Sequence, residues 1–213
     1  MRARESGLAR FAPLAGLVFA VTFVVIFVVS SNSPDADAKT AKVIHYWTKH
    51  KDEEIATSLI AALALLFFVW FAGCLRARLA EIEGGGRRLA NTAFGGAILF
   101  AGGGLTFSAL SFTAADTVGK VPATVTQAIH ALDNDLFFPL AVGTAVLMLS
   151  TGVLSIRTRA LPAWLGWLAL VIGVVSVTPI GFVGFFGTIV WVAIVSVVLY
   201  LRPVGAAAPP PAV

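Results

Sequence analysis

The chain has 213 residues, of which 58% are hydrophobic and only 12% charged, with a mean hydropathy of +0.92. Soluble globular domains carry about a quarter of their residues charged, so this composition excludes an ordinary water-soluble domain and points to a chain solvated by lipid. The net charge of +4 and the pI of about 9.6 do not indicate a nucleic-acid partner, because the arginines stand in short clusters at the ends of apolar runs, where they meet anionic headgroups.

Six apolar spans are predicted, at about 11–30, 55–75, 92–112, 136–156, 161–178 and 182–201. The last two share one uncharged run that is about twice the ~20 residues a helix needs to cross a bilayer. An arginine-bearing start before an apolar run also describes a secretory signal. Residues 11–29 exceed the roughly 7–15 residues of a signal core, and Ala36-Asp37-Ala38, which resembles a cleavage site, lies well beyond them, so the first span reads as retained. Pro13 falls in its first turn, where a missing amide proton costs nothing.

Residues 31–54 open on the turn cluster Ser31-Asn32-Ser33-Pro34-Asp35. Val43, Tyr46, Trp47 and His50 then recur at helical spacing and predict a short outer helix over 39–51, its aromatic face at headgroup level and Trp47 as a belt anchor. Asp52, Glu53 and Glu54 meet the positive end of the second span's helix dipole. Cys74 is the only cysteine, so an intramolecular disulfide is excluded and its expected role is a small buried residue. The link 81–88 contains three consecutive glycines and reads as flexible.

The third span is rich in small residues. Gly95, Gly96, Ala97, Ala101, Gly102, Gly103 and Gly104 are the expected helix-packing positions, with Ala93, Ala97 and Ala101 at every fourth residue, so this span is predicted at the centre of the bundle. In 113–132, Pro122 marks a helix start, and Val125, Ile129 and Leu132 share a face, predicting a second outer interfacial helix. Pro139 is expected to bend the fourth span near its outer end. The fifth span has Pro162 in its first turn and Trp164 and Trp167 near its inner end, and Pro179-Ile180-Gly181 is the turn into the sixth. Residues 204–213, rich in alanine and proline, read as a disordered cytoplasmic tail behind a single six-span domain over 1–203.

Charge orients this arrangement. All ten arginines fall at the termini or in the even-numbered gaps, together with three carboxylates, Glu5, Glu81 and Glu83. All five lysines fall in the odd-numbered gaps, together with the other eight carboxylates. The positive-inside rule then puts both termini in the cytoplasm of a plasma-membrane protein. The recurring Leu75-Arg76 and Ile156-Arg157 span ends follow from the same rule rather than from a repeat. The fold class is therefore all-α: a polytopic six-helix transmembrane bundle, N-in and C-in, with two short outer interfacial helices.

No Asp, Glu, His, Lys or Arg lies at membrane depth within the spans, whereas ion-coupled carriers and proton relays place such groups there. No cofactor motif is present: Gly181, Gly184 and Gly187 have neither the strand nor the lysine of a phosphate loop. The histidines are all on the outer side, and His45, His50, His130, Asp133 and Asp135 are the candidates for a divalent metal or an acid-base pair. No tight ligand motif joins them, and Asp133 and Asp135 are accounted for by helix capping and dipole compensation.

Two stretches carry a resemblance: Phe68-Val69-Trp70-Phe71-Ala72-Gly73-Cys74-Leu75-Arg76 within 55–79, and Arg157-Thr158-Arg159-Ala160-Leu161-Pro162-Ala163-Trp164-Leu165-Gly166-Trp167, continuing to Gly173. They resemble a family of uncharacterised six-span membrane proteins of high-GC Gram-positive bacteria, built on a domain of unknown function. The resemblance implies the six-span fold and no activity, cofactor or site residue. The leading expectation is a non-enzymatic accessory or interaction protein whose partners are membrane lipids and other membrane helices. A permease for a neutral or apolar molecule, its path lined by Thr106, Ser108, Ser111, Thr144 and Ser150, is the second, and an outer-leaflet enzyme using His130, Asp133 and Asp135 is the third.

Overall fold

The computed structural model describes residues 11–29, 33–135 and 137–201, and all its regular elements are helices. The terminal arginines Arg2, Arg4, Arg10 and Arg202 and the tail 204–213 lie outside the described residues. A 3-10 turn, Ala12–Leu14, holds Pro13 and leads into α1 (Ala15–Val29). There follow α2 (Thr40–Lys49), α3 (Lys51–Glu83), α4 (Arg88–Thr117), α5 (Ala123–Asp135), α6 (Phe138–Thr158), α7 (Ala163–Val175) and α8 (Gly181–Leu201).

Four stretches are long and apolar enough to cross a membrane: α3, α4, the run Ala123–Thr158 and α8. In that run α5 carries His130, Asp133 and Asp135, whereas α6 is free of charge up to Arg157 in its last turn. Two further apolar helices, Ala12–Val28 and α7, are shorter. The helices α1, α3, α4, α6 and α8 surround a common interior, with α7 packed outside on α6 and α8. The rings of Phe11 and Tyr200 stack at 5.9 Å, which brings the start of the first apolar helix and the end of the last to one face of the bundle.

Helix α3 has 33 residues, or about 50 Å, well beyond a hydrocarbon core of ~30 Å. It absorbs part of the link expected to be flexible, because Glu81–Glu83 remain helical and the helix ends only where Gly84 takes φ 77°. The Glu83 carboxylate then accepts the backbone N–H groups of Leu89 and Ala90, both at 2.9 Å, satisfying two orphan donors at the start of α4. The same end is tied by Arg76, whose Nε donates to the Asn91 side-chain carbonyl at 3.0 Å.

The centre is the contact between α4 and α6. A methyl group at Gly96 would lie 2.9 Å from the Gly143 carbonyl oxygen, and one at Gly143 would lie 3.0 Å from that of Gly96. At Gly103 it would meet Pro139 at 2.9 Å, and at Gly104, on the adjoining face, Leu65 of α3 at 2.9 Å. Ala97 and Ala101 are buried in the same core. Gly95 and Gly102 stand apart from it, exposed and with open space where a methyl group would go.

Pro139 produces no mid-helix bend. Helix α5 has already ended at Asp135, and Pro139 sits in the first turn of α6, where its missing N–H is no loss. Pro162 precedes α7 as its N-cap, and on α8 the buried Trp191 donates from Nε1 to the Leu165 carbonyl of α7 at 3.0 Å.

Gly96→Leu forces α4 and α6 apart and should lower the yield of folded, monodisperse protein in mild detergent at least several-fold, whereas Gly102→Leu should leave it near the native level. Equal yields of the two variants would show that the close approach does not hold the bundle.

A candidate binding cavity beneath the outer helices

The two short helices α2 and α5 form a cap over one end of the bundle. Val43, Tyr46 and Trp47 of α2 pack with Ala114, Ala115 and Val118 at the end of α4 in a small core of their own. Trp47 is 1% exposed, so it is a packing residue under protein cover and not the belt anchor its sequence position suggested. Its indole N–H donates to His130 Nδ1 at 3.3 Å, which leaves the His130 proton on Nε2, 3.3 Å from the Asp35 carbonyl. The Gln127 amide donates to the Ala38 carbonyl at 3.1 Å, so α5 is pinned at two places to the segment that precedes α2.

The inward face of helix α5 lies one residue round from its apolar stripe, and of that stripe Ile129 is half-buried against the cap core. Thr126, His130 and Asp133 point into the protein, while Val125 and Leu132 are exposed. At a lipid-bathed surface an apolar side chain loses nothing by facing outward, and polar groups gain partners by facing inward.

Beneath the cap lies a cavity of about 550 Å³, within the range of small-molecule sites. Its floor is aromatic. Phe100 and Phe185 line it with ring centroids 5.9 Å apart, and the fully buried Phe68 and Phe19 back Phe100 at 4.8 and 6.2 Å. Offset and edge contacts of this kind contribute about 0.5–1.5 kcal/mol each beyond area burial. Phe27, Phe107 and Phe182 line the cavity and are also exposed on the bundle surface, so the space communicates with the surroundings of the outer half.

The other end of the cavity is polar. Glu54, on the first turn of α3, is 9% exposed and accepts a short hydrogen bond from the Tyr46 hydroxyl. Asp133, 6% exposed, accepts from the Ser111 hydroxyl at 2.7 Å. Ser58 and Ser108 complete this end, Ser108 donating to the Gly104 carbonyl at 3.0 Å. Burial, and then the neighbouring Glu54 carboxylate, raise the Tyr46 hydroxyl above its usual value. Asp133, on α5 and outside the membrane-crossing segments, is pushed up from 3.8 to about 6; burial is the main cause, Glu54 adds to it, and the Ser111 hydrogen bond opposes it.

The sequence candidates disperse. His45 is exposed, and His50 is half-buried with its ring tilted against Tyr46 at 4.7 Å. His130 and Asp133 share the inner face of α5, but both His130 ring nitrogens are engaged and Asp135 is exposed. Among the described residues no three of His, Cys, Asp and Glu gather where they could hold a metal ion. Of the five hydroxyls proposed to line a path, Ser108 and Ser111 reach the cavity, Thr106 is exposed and turned back to the Gly102 carbonyl, and Thr144 and Ser150 are buried away from it.

Glu54 was missed. Its signal was nonetheless present, since Glu54, Ser58, Ala61, Leu65 and Phe68 recur at spacings of four, three, four and three and form one buried face of α3 with the acid at its head.

Because the Asp133 pKa is higher in the folded chain than the ordinary 3.8, its contribution to stability is complete below that value and is lost as pH rises through about 6. Melting of the native protein in detergent should therefore fall between pH 4 and pH 7 relative to Asp133→Asn, with the variant the more stable at pH 7. Parallel profiles would show that Asp133 carries no such penalty.

Comparisons with protein-family models, with curated proteins and with solved structures find no match.

Proposed function

We propose that this chain is a six-span plasma-membrane protein, both termini cytoplasmic, of the family its sequence resembles, and that it binds a small amphiphilic molecule entering from the outer leaflet. The role is that of a non-enzymatic accessory protein. The observation that carries this reading is the cavity itself, with an aromatic floor at one end and Glu54, Ser58 and Asp133 at the other. An amphiphile matches both ends at once, whereas a wholly polar solute would leave the phenylalanines against polar groups.

The six-span topology is supported by charge and by geometry together. Arg76, Arg78, Arg87, Arg88, Arg157 and Arg159 stand at the ends of α3, α4 and α6 remote from the cap, while Lys39, Lys42, Lys49, Lys51 and Lys120 stand at the cap. An even number of crossings, with α1 and α7 as the two shorter ones, accords with the stacking of Phe11 on Tyr200. Binding is favoured over passage because the closed aromatic floor separates the cavity from the inner half. Catalysis by His130 with Asp133 is disfavoured because the histidine is occupied by Trp47 and Asp35.

Reporter fusions after Glu83 should behave as cytoplasmic and one inserted at Gly119 as exported; an exported reporter after Glu83 would invert the topology. For binding, the purified protein in phosphatidylcholine nanodiscs should enhance the fluorescence of the neutral dye N-phenyl-1-naphthylamine saturably, with about one site per chain, and Ala61→Trp, which fills the cavity, should abolish that component. No saturable component above empty nanodiscs would sink the amphiphile reading.

A further inference from the structure

We infer that the molecule held in this cavity is a lipophilic amine, bound as its ammonium ion with the head between Glu54, Ser58 and Asp133 and the apolar body on the phenylalanine floor. The inference rests on the amphiphile-binding reading and adds the chemistry of the head.

Charge is the first ground. The cavity lining contains no lysine, arginine or histidine. Among the described residues the ion pairs are Arg78 with Glu81 and Lys120 with Asp116, so neither Glu54 nor Asp133 has a cationic partner. Two buried carboxyl groups facing one space without a counter-charge are costly, and a cation supplied from outside removes that cost.

Hydrogen-bonding capacity is the second. A carboxylate offers about four acceptor sites, yet among the described residues Glu54 receives only the Tyr46 hydroxyl and Asp133 only the Ser111 hydroxyl. Ser58, one turn beyond Glu54 on the same face of α3, lines the cavity at 6% exposure, and among the described residues its hydroxyl has no hydrogen-bond partner. Its neighbour Thr57 has turned back to the Glu53 and Glu54 carbonyls, at 2.9 and 3.2 Å. The open positions are thus chiefly acceptors, and an ammonium group with several N–H donors satisfies them, whereas an alcohol supplies a single proton.

The same features exclude other amphiphiles. A fatty acid would bring a third carboxylate to the acidic end. A phospholipid, including one with an amine headgroup, would bring a phosphate into a lining that has no cation to meet it. The amine is accordingly phosphate-free.

The test uses one tail with three heads. Dodecylamine, 1-dodecanol and dodecanoate are titrated at pH 7.5 against N-phenyl-1-naphthylamine bound to the full chain in phosphatidylcholine nanodiscs, with empty nanodiscs as the partition control. Dodecylamine should displace the dye at a concentration at least tenfold lower than dodecanol, and dodecanoate should be weakest. Glu54→Gln with Asp133→Asn, shown to be folded by its elution and melting, should bring dodecylamine to the level of dodecanol. Equal displacement by the three heads on the native protein overturns the amine assignment while leaving amphiphile binding intact. Competition by phosphatidylethanolamine, exchanged into the nanodisc, as strong as that by dodecylamine overturns it too. Failure of the dye itself to bind is the separate outcome that removes the amphiphile site. If the double variant does not fold, the head-group ranking on the native protein decides alone.

Discussion

The bundle depends on the backbone contact between α4 and α6 at Gly96 and Gly143. In lipid no hydrophobic force draws apolar helices together, since a neighbouring acyl chain solvates leucine as well as another helix does. Association must come from packing, and packing is closest where no side chain intervenes. Each of these glycines lies where a methyl group would meet the other's carbonyl oxygen at about 3 Å, so the two helices approach at the limit that backbone atoms allow. With α4 held on that side, Gly104 on its adjoining face receives Leu65 of α3, and the remaining helices assemble around this pair.

The cavity follows from where that small-residue packing stops. On α4 the run from Ala93 to Gly104 is followed by Phe107, Ser108 and Ser111, which line open space in place of a partner helix. The phenylalanines of α1, α3, α4 and α8 close the space from below, ring against ring, but rings on a circle of helices do not fill its outer end. That end is roofed by α2 and α5, joined through Trp47, His130 and the Asp35 carbonyl. His130 is therefore a structural joint: Nδ1 accepts from Trp47 and Nε2 holds the proton that faces Asp35, so the ring ties α5 to a segment far from it in sequence.

Burying carboxyl groups at the top of an apolar cavity works against stability, and the raised pKa of Asp133 is one expression of that cost. The structure offsets part of it with the Ser111 and Tyr46 hydroxyls and leaves the rest open toward the cavity. The inward polar face of α5 belongs to the same pattern. His130 and Asp133 find protein partners on the inner face while Val125 and Leu132 stay exposed on the outer one.

Some of this was legible in the chain alone. Helical class, membrane character, the two outer helices and the central position of 92–112 follow from local quantities: runs of apolar residues, charge at their margins, and glycine and alanine at helical spacing. Those quantities act within one helix, so one sequence suffices to read them. They also misled where a sign depends on the surroundings. Trp47 reads from sequence as an interfacial anchor and Pro139 as a bend, because sequence periodicity reports which residues share a face but not what that face meets. Gly95 and Gly102 show the same limit, being chemically identical to Gly96 and Gly103 yet one residue round the helix from the contact. The site was decided by tertiary structure alone: Glu54 and Asp133 are 79 positions apart, and only the packing of α5 on α2 and on α4 turns two helix-end carboxylates, each explicable by a dipole, into the polar end of one cavity. By itself the sequence determined which segments are helical and apolar enough to enter a bilayer, since hydropathy is local; which side chains face one another across the interior was settled by backbone approach, a property of helix pairs that no single helix contains.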